Sequence, residues 1–182
     1  MLEYTDYIKI FIALLAVLDP LASVPVVVKL TSDSKHEDLK KIVNTVIVTV
    51  LTILIVTLFI GEHLLDFFGI TINSFKISGG ILLMMMAISI PLLAGPGVVS
   101  AVILYAHRGN DMSHYLMMVL IIVLVVLVLW GVLASVPWIS KHISRTGINV
   151  FTRLMGLIIA ALAVEFIANG LKGIFPVLAT GL

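Results

Sequence analysis

Two carboxylates stand inside apolar stretches where an ordinary membrane helix would carry none. Asp19 lies within Leu18-Asp19-Pro20-Leu21-Ala22-Ser23-Val24-Pro25, and Glu165 lies within the apolar run that closes the chain. An ionised carboxylate at the bilayer centre costs about 2.5–3.5 kcal/mol on insertion scales, so each needs a partner, a proton or water. Asp19 could hold a coupling proton or sodium ion, or receive a substrate ammonium. Asp before Pro is also a good N-cap for a helical segment starting at Pro20, and the two roles are compatible. Pro20, Ser23 and Pro25 leave backbone groups near Ala22 without helical partners. Glu165 follows i, i+4 spacing with Ala161, Asn169 and Gly173, which places all four on one helix face. A small and polar face of this kind is expected toward the protein interior, as a proton or substrate site or as an inter-helix hydrogen bond from a protonated Glu165.

A second polar break runs through Pro91-Leu92-Leu93-Ala94-Gly95-Pro96-Gly97 and on to Ser100. The segment Gly95-Pro96-Gly97 would offer exposed amides at the positive end of a half-helix, a seat for a substrate carboxylate; the alternative is a kink with close helix packing. Lipid cannot hydrogen-bond freed backbone, so such breaks survive at membrane depth only inside protein or beside a hydrated cavity. Two of them in matching positions of two halves point to a transporter's substrate site. Gly79, Gly80 and Gly156 either limit substrate size or serve close helix packing. Thr45, Thr49 and Thr52 share a face, where such hydroxyls bond back to their own helix. Lys76 and Arg153 are placed to snorkel to the interface. The histidines at 36, 63, 107, 114 and 142 have no ligand spacing, so no metal is expected, and with no nucleophile–base pair or nucleotide loop the chain does not read as an enzyme.

These residues must be positioned by membrane helices. The 182 residues are 61% hydrophobic and 12% charged, with a mean hydropathy of +1.24, far from soluble-protein averages. No cysteine is present, which removes disulfide and thiolate chemistry, and a net charge of +1 with no basic stripe gives no reason to expect nucleic acid. Glu3 and Asp6 replace the basic start of a cleaved signal, so the first apolar run is expected to stay. Six spans are expected, near residues 7–30, 42–60, 72–88, 90–107, 116–136 and 148–175. Charged or turn-rich connectors lie at 31–41, 61–71, 108–114 and 137–147, the first holding a Ser34-Lys35-His36-Glu37 capping box. Lys35, Lys40, Lys41, Lys141 and Arg145 concentrate after the first and fifth spans, which places those loops in the cytoplasm and both termini outside. One connector is missing: Ala87-Ile88-Ser89-Ile90-Pro91 offers no hydrated reversal, so a polar segment is expected to be absent there, the alternative being a re-entrant hairpin.

A shift of 76 residues carries Pro20 onto Pro96, Phe75 onto Phe151, Gly80 onto Gly156 and Ala87 onto Ala163. The chain then divides into repeats at 1–88 and 89–182. Three spans each, in tandem, must sit upside-down to one another. The expected fold is an all-α membrane protein of two inverted three-helix repeats, with helices 1 and 4 broken.

The segment Leu18–Pro25, with Phe75-Lys76-Ile77-Ser78-Gly79-Gly80-Ile81-Leu82-Leu83, Pro91–Gly97 and Arg153-Leu154-Met155-Gly156-Leu157, resembles the signature segments of the MarC family, in the family's order and across nearly the whole chain. The resemblance implies a six-helix bacterial or archaeal inner-membrane protein related to the lysine-exporter superfamily, some of whose members are described as transporters of small neutral amino acids. Ala22-Ser23 stands where the family usually has Gly-Asn. Glu165 stands where it often has Gln, which counts against a shared proton-coupling role. The family's polar loop before Pro91 is absent.

The expected function is a secondary transporter of alanine-, glycine- or serine-like substrates by alternating access. The carboxylate would meet Gly95, Pro96 and Gly97, with Ser100 one turn on, and the ammonium would face Asp19 or carbonyls near Ala22–Pro25. Beyond a coupling proton or sodium ion no cofactor is expected. The bilayer is the surrounding partner, and a homo-oligomer stays open. A channel or exporter for another solute, or a non-transporting scaffold, are the alternatives.

Overall fold

A computed structural model describes residues 3–31, 36–88, 95–109, 111–142 and 145–178, and among them it is all helix with no strand. The first helix, α1 (Tyr4–Leu18), ends because the next residue is Asp19 and the one after is proline. Asp19 adopts a left-handed conformation (φ 39°, ψ 72°), which a short polar side chain tolerates by bonding locally, and its N–H still reaches the Leu15 carbonyl at 3.0 Å. Pro20 has no N–H to continue the ladder. The chain turns through residues 20–23 and enters α2 at Val24 (Val24–Thr31). Asp19 therefore closes α1; it does not cap a helix beginning at Pro20. The break of the first span is real and occupies residues 19–23.

α3 (His36–Phe67) is 32 residues long, about 48 Å at 1.5 Å per residue. The expected connector at 61–71 is mostly helix instead. Gly61 is there for close approach, since a Cβ on it would come within 2.5 Å of Ile103 Cγ1, and Leu65 stays buried. The helix stops at Gly69, whose φ of +67° a side chain would resist, with the Ile70 N–H bonded to the Leu65 carbonyl at 2.9 Å. Thr71 then caps α4 (Ile72–Ile88) by accepting from the Ser74 N–H at 3.2 Å. α5 (Pro96–Ala106) carries proline in its first turn and spans only about 16 Å, half a hydrocarbon core. α6 (Met112–Ala134) follows. The expected connector at 137–147 contains a further helix, α7 (Val136–His142), because Pro137 falls in a first turn where its missing N–H costs nothing. α8 (Arg145–Ile174) and a 3₁₀ turn at Pro176–Leu178 complete the described fold.

Among the described residues three helices are long and apolar enough to cross a bilayer: Lys40–Phe67, Met112–Ala134 and Thr146–Ile174. They match the second, fifth and sixth expected spans. The other three expected spans correspond to the broken α1–α2 pair, the 17-residue α4 and the 11-residue α5. Ser34 and Lys35 of the capping box and the junction at residues 89–94 lie outside the described residues.

The most extensive helix contact is α4 against α8, followed by α3 against α6. The first is a seam of small residues. A Cβ on Gly80 would lie 2.7 Å from the Ala163 carbonyl, one on Gly170 would lie 2.7 Å from the Asn73 carbonyl, and one on Gly156 would lie 3.2 Å from that of Ala87. Elsewhere the ends of three helices are joined by one buried histidine. His114 Nε2 lies 3.0 Å from the Tyr105 carbonyl, which only accepts, so this nitrogen carries the hydrogen. Nδ1 then accepts from the Tyr7 hydroxyl at 3.1 Å. His114→Phe is expected to cost about 1–3 kcal/mol by stranding both partners, seen as a lower unfolding temperature in detergent.

Candidate functional site

The buried polar side chains among the described residues are few, and most belong to the two breaks. Asp19 is 1% exposed, Ser23 3% and Ser100 3%; His114 is the fourth. The Asp19 side chain accepts from the Ala22 N–H at 3.3 Å through Oδ1, and the Ser23 hydroxyl donates to the Asp19 carbonyl at 3.5 Å. One turn of chain thus satisfies itself locally, and among the described residues no buried side-chain nitrogen or oxygen lacks a hydrogen-bond partner. Pro20 is buried and, with Leu21, lines an open apolar groove of about 250 Å³ shared with Leu15, Val132, Phe151 and Met155. Pro25 is exposed at the start of α2, and Ala22 is half-buried.

In the second half, Gly97 and Ser100 are buried on α5 while Pro96 is exposed and Gly95 half-buried. Pro91–Ala94 lie outside the described residues. The Gly95 carbonyl accepts from the N–H groups of Val98 and Val99 at 3.1 and 3.3 Å. Gly97 is in close packing, since a Cβ there would run into Met86 and reach Leu83 at 3.0 Å. Gly79 faces α5: its Cβ would stand 3.1 Å from Ser100 Cβ. The fold therefore joins Gly79, Gly97 and Ser100 along the α4–α5 contact, and α1 packs on α5 from another side.

Gly80 and Gly156 belong to the α4–α8 seam, where backbone atoms occupy the space a side chain would take. Glu165, Asn169 and Ala161 are exposed on α8. The expectation that this face turns inward is corrected: α4 takes the opposite face of α8, through Ala163, Ile167 and Gly170, because glycines on α4 and α8 permit the closer approach there. Thr45, Thr49 and Thr52 are also exposed, and the Thr52 hydroxyl donates back to the Val48 carbonyl at 2.7 Å. Among the described residues no group of three or more His, Cys, Asp or Glu side chains could hold a metal. Tyr105, Arg108 and the His107–Glu62 pair (2.7 Å) received no role in the sequence reading. Only the fold brings them beside other helices, and the sole sequence hint was a Tyr and an Arg three residues apart at a span end.

The family described as "MarC family integral membrane protein" matches residues 4–90 and 84–175. UPF0056 membrane protein YhcE of Escherichia coli (strain K12) is 35% identical, covering 96% of this chain and 95% of its own length. A UPF0056 membrane protein of Buchnera aphidicola subsp. Schizaphis graminum is 32% identical over 98% of this chain and 97% of its own. Another, from Pyrococcus abyssi, is 32% identical over 92% and 95%. No solved structure matches the chain. With YhcE, 96% of 182 residues spread over 205 aligned positions leaves about 30 positions of the relative without a counterpart here. The two family-matched stretches overlap at residues 84–90, next to the junction at residues 89–94. On these matches, the chain belongs to the MarC family of integral membrane proteins.

Proposed function

We propose that this protein is a secondary transporter that moves small neutral amino acids of the alanine, glycine and serine type across the inner membrane by alternating access. The observation that carries the reading is Asp19, a carboxylate 1% exposed at a break inside an apolar span. Such a group marks an ion or substrate path by default. Its charge would meet a substrate ammonium, or a coupling proton or sodium ion. The amides at the start of α5, beside Ser100 and Gly79, would meet the carboxylate.

The inverted three-helix repeat is part of the same proposal. What supports it is spacing and packing. His36 and Met112, the first residues of α3 and α6, lie as far apart in sequence as Pro20 and Pro96 do. The two most extensive helix contacts, α4 with α8 and α3 with α6, each join elements related by that shift, as expected for pairs sitting across a two-fold axis. By the positive-inside rule, Lys40, Lys41 and Lys141 face the cytoplasm and both termini lie outside.

The test is thermal stability of the detergent-purified protein against a panel of amino acids, with and without sodium. A ligand at 100 times its Kd should add about 2.7 kcal/mol of apparent stability. A shift with alanine, glycine or serine is the expected result. No shift across the panel would overturn the substrate class.

A further inference from the structure

Where α1 and α6 lie side by side at one end of the bundle, they leave an open groove of about 700 Å³, away from both breaks. Its floor is fixed. Tyr7 is buried there, its hydroxyl donates to His114 at 3.1 Å, and the two rings sit 5.7 Å apart. The polar lining consists of the Glu3 carboxylate, which accepts from the Thr5 hydroxyl at 3.4 Å, and the hydroxyls of Tyr4 and Ser113. The apolar lining is Leu116 and Met117, one turn further into the α6 span than Ser113. Leu120, a turn further still, is exposed, as are Ile8 and Ile12 on α1. The groove is thus polar toward the helix ends and apolar on the side that continues into the bilayer. Eleven residues along α6 from Met117, the same two helices border the apolar groove at Ile12, Leu15, Val128 and Val132. That is about 16 Å, close to half of a hydrocarbon core about 30 Å thick, which is the depth of one leaflet.

The charge of the groove selects among lipids. No Lys or Arg is among its described lining residues. Lys9, a turn beyond Thr5 on α1, is held by Asp6 at 3.2 Å. Glu3 takes part in no ion pair among the described residues, and its side chain makes no cap bond to its own helix. One available carboxylate without a neighbouring cation complements a positive headgroup and repels a purely anionic one. A primary ammonium also offers three N–H donors to the carboxylate, which a quaternary head lacks. Tyrosine at this level suits the headgroup region, where an amphipathic ring sits with one end wet. We propose that this groove binds one phospholipid of the phosphatidylethanolamine type. Glu3 takes the ammonium, the Tyr4 and Ser113 hydroxyls donate to the phosphate, and an acyl chain runs down between α1 and α6 past Leu116 and Met117. The site uses none of the groups at Asp19 or Gly97 and does not rest on the transport reading.

The test uses full-length protein stripped of lipid in detergent. Bound lipid and unfolding temperature are measured against dioleoyl phosphatidylethanolamine, phosphatidylcholine and phosphatidylglycerol in mixed micelles. The ethanolamine lipid should bind about fivefold more tightly than either of the others, the upper end for one exposed ion pair. Glu3→Gln should bring all three lipids within about twofold of one another and leave the lipid-free unfolding temperature unchanged, since that side chain caps nothing. Leu116→Trp, on an exposed wall of the groove, should weaken all three by filling the space of the acyl chain. Equal binding of the three lipids by the parent protein overturns the site, as does a preference that survives Glu3→Gln. Affinities unmoved by Leu116→Trp would place the lipid elsewhere and overturn it as well. Phosphoethanolamine without acyl chains, bound as tightly as the whole lipid, would make this a solute site and overturn the lipid reading.

Discussion

Asp19→Asn is expected to abolish uptake into proteoliposomes while the protein unfolds within about 1 kcal/mol of the parent. The amide oxygen of Asn can accept from the Ala22 N–H as Oδ1 does now at 3.3 Å, and Asn tolerates the left-handed backbone that Asp19 adopts. Only the charge is lost. Asp19→Ala should abolish uptake too, but at a cost to folding of about 2–3 kcal/mol. It leaves the Ala22 N–H unpartnered in a buried turn and puts a residue without a local polar bond at positive φ. Flux and apparent melting temperature, measured on both variants, separate the two contributions. Uptake by Asp19→Asn at the parent rate would remove the carboxylate from the transport mechanism and reduce it to a turn-former.

The largest purely structural effect is expected at Gly80. A methyl there would stand 2.6 Å from Ile167 Cγ1, 2.7 Å from the Ala163 carbonyl and 3.1 Å from the Ile167 amide nitrogen. Two of those three atoms are backbone, so no rotamer change relieves the clash and α4 must move off α8. Overpacking of this kind costs about 1–3 kcal/mol or more, and here the upper end is expected because the seam runs along α4 from Asn73 to Ala87. Gly131 is the control. Nothing lies within 4 Å of the Cβ that alanine would add, so Gly131→Ala should be neutral or stabilise by up to about 1 kcal/mol through helix propensity. Unfolding temperatures in one detergent decide it, and equal effects at the two positions would show that the α4–α8 seam is not a tight contact.

Some of this architecture was legible in the residues. Proline and aspartate inside an apolar run announce a break, and the break at 19–23 lies where Asp19-Pro20 placed it. The apolar lengths of α3, α6 and α8 mark three spans, α6 and α8 to within about four residues, whereas α3 runs seven residues past its expected end at 60. What the sequence could not convey is which glycine ends a helix and which lets two helices touch. Gly61 reads as the start of a loop but is a contact point for Ile103, whereas Gly69, eight residues later, is the actual stop. The stripe at Glu165 and Asn169 misled for a related reason. Polarity says that a face avoids lipid, but on α8 the glycine at position 170 outcompeted it for contact with α4. His114 was invisible as a bridge, since Tyr7 lies 107 residues away. After Ala87 hydrogen-bonding logic leaves either an absent polar segment or a re-entrant hairpin, and across the alignment YhcE carries about 30 positions without a counterpart in this chain.

The seam between α4 and α8 has a mechanical consequence. Where main chain rests on main chain, there are no rotamers to click from one setting to another, and sliding would drive carbonyls into Cα atoms. The two helices should therefore travel as one plank, and any rocking of the molecule has to be taken up elsewhere. The joint at Asp19–Ser23 is where a swing can be taken up: a kinked stretch beside an open apolar groove of about 250 Å³, bordered by Phe151 and Met155 of the plank itself. A swing of α1 about that joint would press on α8 first, and α4 would follow without any signal having to cross a flexible contact.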